Sequence, residues 1–106
     1  MHGLFRKEID MSYLSEFPDY DGDFYCPDGW EDNSWHNDVC PHAEKRSYDE
    51  EISVNIWQDY VDPDKRERDN DKRYLFTICV GGADAQFYYE TDELEEIKKL
   101  VKGVQI

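Results

Sequence analysis

Apolar and polar positions follow two periods in the second half of the chain. Residues 51–61, EISVNIWQDYV, alternate: Ile52, Val54, Ile56, Gln58 and Tyr60 share one side, and Ser53, Asn55, Trp57 and Asp59 the other. A period of two in a run rich in β-branched and aromatic residues predicts a half-buried strand. Residues 62–71, DPDKRERDND, hold no apolar residue apart from Pro63 and read as a loop. Residues 72–82, KRYLFTICVGG, resume the alternation, with Tyr74, Phe76, Ile78 and Val80 on one face. Gly81 and Gly82 then permit a tight turn through Ala83 and Asp84. Residues 85–91, AQFYYET, predict a third strand, and the simplest arrangement is an antiparallel meander.

The period then changes to that of a helix. Leu94, Ile97, Leu100 or Val101, and Val104 form a stripe at helical spacing. Thr91 or Asp92 is placed to cap this helix, and Glu93, Glu95 and Glu96 follow where negative charge suits the positive helix end. Lys98, Lys99 and Lys102 fall toward the other end, and Gly103 suits the stop. Three strands need a cover for independent stability, so this helix is expected across one sheet face.

The first half is less regular. Phe5, Ile9, Tyr13 and Phe17 recur four apart, as in a short helix ended by Pro18. From residue 18 to residue 41 no period is visible, because Pro, Gly, Asp and Asn recur too often. Tyr20, Phe24, Tyr25, Trp30 and Trp35 make a floppy loop unfavourable, since each large ring gains about 1.5–3 kcal/mol on full burial. Several of them are expected to pin the loop onto the open sheet face near Trp57. The fold class is therefore α+β: a three-stranded antiparallel sheet, a C-terminal helix on one face, and an irregular acidic, aromatic N-terminal half made of a short helix and a long ordered loop. Length predicts a single domain over residues 1–106, with 1–50 as the irregular half and 51–106 as the meander and helix.

Charge changes what this scaffold is for. The chain carries 26 Asp and Glu against 12 Lys and Arg, a formal net charge of −14. Its magnitude exceeds the usual small-domain range of about 2 to 8. From Glu8 to Glu44 there are 11 acids and no Lys or Arg, so this segment cannot neutralise itself. Such a balance argues against direct nucleic-acid binding and against an anionic membrane surface, and favours a basic protein or nucleoprotein partner. No stretch reads as a signal peptide or as a run of roughly 18 apolar residues. With an odd count of three cysteines, Cys26, Cys40 and Cys79, the expected compartment is a reducing cytoplasm.

Three chemistries compete within residues 19–42. Asp19, Asp21 and Asp23 alternate as in a calcium loop, but the sixth and twelfth positions hold Phe24 and Trp30 instead of Gly and Glu. Cys26, His36, Cys40 and His42 supply four zinc donors at a spacing that matches no standard site. The plainer alternative makes Cys40 a buried small side chain, Cys26 a loop residue and both histidines surface groups. His36, Asp38 and Cys40 lie close in sequence, yet a thiol nucleophile needs a pocket and an oxyanion donor that nothing in the sequence supplies, so the chain reads as non-enzymatic. The basic stretch Lys65, Arg66, Arg68, Lys72 and Arg73 is interleaved with acids and reads as a self-neutralising loop.

Residues 32–41, DNSWHNDVCP, predict a two-turn clip: Asp32, Asn33 and Ser34 in one turn, Asn37 and Asp38 in the other, with Trp35 and Val39 as apolar anchors. On this Ser-Trp-x-Asn-Asp-x-Cys-Pro segment, the Trp-containing strand, the Asp-Pro loop and the next strand, residues 32–80 resemble small uncharacterised proteins of phages and other mobile elements. The resemblance implies no known reaction. In composition and size the chain also resembles phage-encoded nucleic-acid mimics of the anti-CRISPR and anti-restriction type. That similarity implies an inhibitor that occupies a basic nucleic-acid-binding surface of a host defence complex, such as a CRISPR effector. Alternate residues of an extended segment lie about 6.5–7 Å apart, comparable with backbone phosphates. The expected docking residues are Asp19, Asp21 and Asp23 as a row, continued by Asp28, Glu31, Asp32 and Asp38, with Trp30 as an aromatic anchor. The alternative is a small zinc-stabilised or metal-free housekeeping domain whose acidity serves solubility.

Overall fold

The computed structural model describes residues 12–66 and 72–106. Its elements in chain order are α1 (Tyr13–Glu16), β1 (Glu31–Asp32), β2 (His42–Arg46), β3 (Ile52–Gln58), a single 3-10 turn (Pro63–Lys65), β4 (Tyr74–Val80), β5 (Ala85–Thr91) and α2 (Leu94–Lys102). The strands form one five-stranded antiparallel sheet in the order β1-β2-β3-β4-β5. The class is α+β with a C-terminal helix, as the periodicities predict, but the sheet has five strands instead of three.

The two additional strands come from the acidic half. β2 reads HAEKR, and only Ala43 among its residues is apolar, so no hydrophobic alternation marks it. Its polar side chains are accommodated one by one. His42 stacks on Trp57 with ring centroids 4.0 Å apart. Buried Glu44 accepts a hydrogen bond from the Asn33 amide and an ion pair from Arg46 at 3.0 Å.

Opposed residues in antiparallel strands project to the same side, which divides the sheet cleanly. On one face Val54 lies opposite Ile78, and Ile56 opposite Phe76, which is itself opposite Tyr89. α2 covers this face, with Ile97 fully buried against Val54, Ile56, Tyr74 and Phe76, and with Leu94, Leu100, Val101 and Val104 packed around them. Each such fully buried aliphatic side chain gains about 1.5–3 kcal/mol over an exposed one. The other face carries two rows, Glu31-Glu44-Asn55-Thr77-Tyr88 and His42-Trp57-Leu75-Glu90, and α2 does not pack on it.

The helix entry differs from the expected cap. Glu93 occupies the cap position without a side-chain bond. Thr91 works from two residues upstream: its hydroxyl accepts from the Glu93 N–H at 3.0 Å and donates to Glu96 Oε1 at 2.6 Å. Asp92 instead accepts the Arg73 N–H at 2.9 Å and pairs with Lys72. Gly81 and Gly82, at φ 63° and 76°, make the tight β4–β5 turn that needs left-handed backbone. α1 is one turn with a reciprocal Ser12–Ser15 capping box. The expected contributions of Phe5 and Ile9 to that helix lie outside the described residues, as do those of Arg68 and its neighbours in the basic loop.

Candidate protein-docking surface

The acidic segment is held to the sheet by backbone and side-chain bonds at three points. Buried Gln58, the last residue of β3, accepts the Tyr25 N–H at 2.8 Å and donates to the Tyr25 carbonyl at 2.6 Å. Asp21 accepts the N–H groups of Val61 and Asp62 at 2.8 and 2.9 Å. Burial pushes the Asp21 carboxyl up, but these backbone donors together outweigh it and leave its pKa below the ordinary value. Arg73 supplies the third point. Its Nη2 donates to the Asp23 carbonyl and the Tyr20 hydroxyl, both at 3.0 Å, while Nε donates to the Asp59 carbonyl at 3.0 Å. Burial pushes the Tyr20 phenol up to about 12, against the opposing Arg73 contact, so it remains a donor to Asp59 at ordinary pH. Gly22 passes so close to the Arg73 guanidinium that a Cβ would overlap it.

Rings complete the attachment. Tyr25 and Trp30 pack against the main core, on the α2 side of the sheet and not on the open side beside Trp57 as expected. Tyr20 joins Phe17 and Tyr60 in a second cluster, where Tyr13 also stacks on Phe24 with centroids 4.8 Å apart. Between loop and helix lies a cleft of about 720 Å³ whose walls include Asp21, Asp23, Tyr25, Arg73 and Lys98.

These contacts sort the expected docking residues. Asp19 accepts from the Tyr60 hydroxyl at 2.9 Å, and Asp21 is committed to the Val61–Asp62 backbone. With a bend at Gly22 between them, Asp19, Asp21 and Asp23 do not make a straight, evenly spaced row. Asp32 is a structural acceptor for Tyr13 N–H at 2.8 Å and for the Ser34 N–H and hydroxyl at 3.1 and 2.6 Å. Trp30 belongs to the core. Asp23, Asp28 and Glu31 are exposed and Asp38 is half-buried.

The clip forms, but its anchors differ from expectation. Trp35 is 51 % exposed and Val39 37 %. The clip is instead held by fully buried Cys40, by Ser34, whose hydroxyl accepts the His42 N–H at 3.2 Å, and by Glu16. Glu16 takes both the N–H and Nδ1 of His36 at 2.8 Å, and the His36 hydrogen bonds hold its carboxyl below the usual range. Trp35 and Val39 are thus left outside, and Val39 joins Asn37, Asp38, Trp57 and Leu75 around a shallow cleft of about 300 Å³. Sequence reasoning missed this cleft. The signal was Trp57, which sits on the non-core side of an alternating strand.

The four sequence-derived zinc donors have separate duties. Cys26 is exposed, His36 is paired with Glu16, Cys40 is in the core and His42 is stacked under Trp57. Among the described residues, no group of three or more His, Cys, Asp and Glu side chains is arranged to hold a metal ion. No helix among them is long and apolar enough to cross a membrane. Comparison with protein-family models, with curated proteins and with solved structures finds no match to this chain.

Proposed function

We propose that the protein is a non-enzymatic binding module that docks onto a basic macromolecular surface, acting as an inhibitor that occupies a nucleic-acid-binding groove of a host complex. The observation that carries this reading is the three-point attachment of residues 20–25 to Gln58, Arg73 and the Val61–Asp62 backbone. It holds a segment without Lys or Arg in one conformation, with Asp23, Asp28 and Glu31 outward. A preformed charge array loses little conformational entropy on docking, and its field speeds encounter. Val39 beside Asp38 and Trp57, together with the exposed Trp35 of the same clip, provides the apolar contact that electrostatics alone lacks.

The test is capture of basic nucleic-acid-binding proteins from a host lysate, compared with a variant carrying Asp23→Lys, Asp28→Lys and Glu31→Lys. Those three side chains carry none of the structural bonds that make Asp21 and Asp32 unsuitable for reversal. The reading predicts salt-sensitive capture that the variant loses and that added nucleic acid competes away. Capture that is equal on the variant, or indifferent to nucleic acid, overturns it.

A further inference from the structure

We propose that the cleft beside Trp57 receives a single arginine side chain of the basic partner, held by stacking on the indole and by the Asp38 carboxylate. This rests on the docking reading above and names the chemistry that one part of that surface selects. Trp57 stands between His42 and Leu75 in the strand register. His42 stacks on it with ring centroids 4.0 Å apart and planes 21° from parallel, so one face of the indole is taken. Leu75 lines the cleft and His42 does not, so the cleft opens on the other side of the ring. The clip supplies the remaining walls, Asn37, Asp38 and Val39.

Size, charge and shape select the occupant. The cleft holds about 300 Å³. That is the lower end of the roughly 300–1,000 Å³ of ligand pockets, and it suits one inserted side chain better than a cofactor. Asp38 is half-buried, and its carboxylate takes no hydrogen bond or ion pair from a described residue. Among the described residues no Lys or Arg lines the cleft, and the chain's net charge is −14, so a cation is the complementary guest. An indole flanked by apolar Val39 and Leu75 favours a flat, weakly hydrated cation on an aliphatic stem. A guanidinium stacks on an aromatic face while its N–H groups reach a carboxylate, and Trp is the best ring for such a contact. The Asn37 amide carbonyl offers a neutral acceptor at the rim. A lysine ammonium is compact and strongly hydrated, and gains less from the same walls.

The probe is the peptide acetyl-Gly-Arg-Gly-amide, titrated into the full chain while NMR follows the Trp57 indole N–H and the Val39 and Leu75 methyl groups. The expected result is a saturable shift of all three. Citrulline in place of arginine keeps the shape and removes the charge; it should weaken binding about tenfold, and lysine about threefold. Asp38→Asn is nearly isosteric and should weaken the arginine peptide about fivefold. Asp84→Asn makes the same charge change in the exposed β4–β5 turn and should leave binding unaltered. The absence of a saturable shift overturns the proposal, as does equal binding of the arginine peptide and either comparison peptide, or an equal effect of the two substitutions. The peptide comparison uses the unaltered protein, so it decides the matter even where Asp38→Asn does not fold. Absent peptide binding alongside salt-sensitive capture from the lysate overturns the arginine site alone, and peptide binding without that capture overturns the docking reading alone.

Discussion

The Gln58 side chain closes a pair of hydrogen bonds with the backbone of Tyr25, taking its N–H at 2.8 Å and giving to its carbonyl at 2.6 Å. In effect a buried amide at the end of β3 stands in for a strand neighbour and gives an irregular segment one residue of sheet-like pairing. Replacing it leaves two backbone groups without partners, each costing about 1–3 kcal/mol. Gln58→Ala should lower unfolding stability by about 2–4 kcal/mol in urea titration. An effect within the ±0.5 kcal/mol typical of surface substitutions would show that the attachment carries no energy.

Arg73 makes its contacts by reaching across the end of the sheet to Asp59, Tyr20 and Asp23. Arg73→Met preserves much of the stem but removes those donors. A loss of about 2–4 kcal/mol is expected, with the Tyr20 and Asp59 region losing amide protection first. Arg73→Lys should recover little, since one ammonium cannot serve three acceptors in a fork.

His42 gives the pH dependence a neutral-to-acid limb. Burial holds its pKa below the ordinary value, against the opposing carboxylates of Glu44, Asp38 and Asp32, and its buried Nδ1 finds no hydrogen-bond partner among the described residues. A depressed histidine pKa means the unfolded chain binds the proton more readily. Stability is therefore full above the unfolded value, near pH 6.5, and declines as pH falls below it. His42→Phe keeps a ring over Trp57 and should flatten the stability profile between about pH 5 and pH 7. An unchanged slope would show that His42 is not the group responsible.

Glu16 acts lower on the pH scale. Its carboxyl is depressed chiefly by the His36 side-chain hydrogen bond. A depressed acid stabilises the fold above its unfolded pKa, and that stability is lost as pH falls through the folded value. Glu16→Gln should remove this acid limb and loosen the clip around Trp35, read as a change in tryptophan fluorescence near neutral pH. Identical acid-unfolding midpoints in both proteins would contradict this role.

Strands β3 and β4 and helix α2 were legible because a buried face imposes a period on their sequences, and β5 because its run of aromatic residues follows the Gly81-Gly82 turn. β5 matches residues 85–91 end to end, and the core stripe from Leu94 to Val104 packs as its spacing predicts. β2 was hidden because its partners are individual: a ring for His42, an amide and a guanidinium for Glu44. Periodicity cannot signal such pairings. The same reason concealed Arg73, which reads in sequence as one more charge in a solvated loop but lies across Tyr74 with its fork aimed inward. The acidic segment could be recognised by composition, yet composition does not tell which carboxylates face the solvent. Asp21, though exposed, and half-buried Asp32 are spent on backbone N–H groups, whereas the exposed Asp23 and Asp28 are not.

Amide hydrogen exchange at Tyr25, Val61 and Asp62, followed residue by residue by NMR, most directly measures whether the charged segment is fastened to the sheet. Fastening predicts slow exchange at all three, with Tyr25 approaching the protection of β3 and losing it in Gln58→Ala. Exchange at the rate of an unstructured chain, with the variant no different, would contradict a preformed acidic surface and remove the basis for the proposed docking.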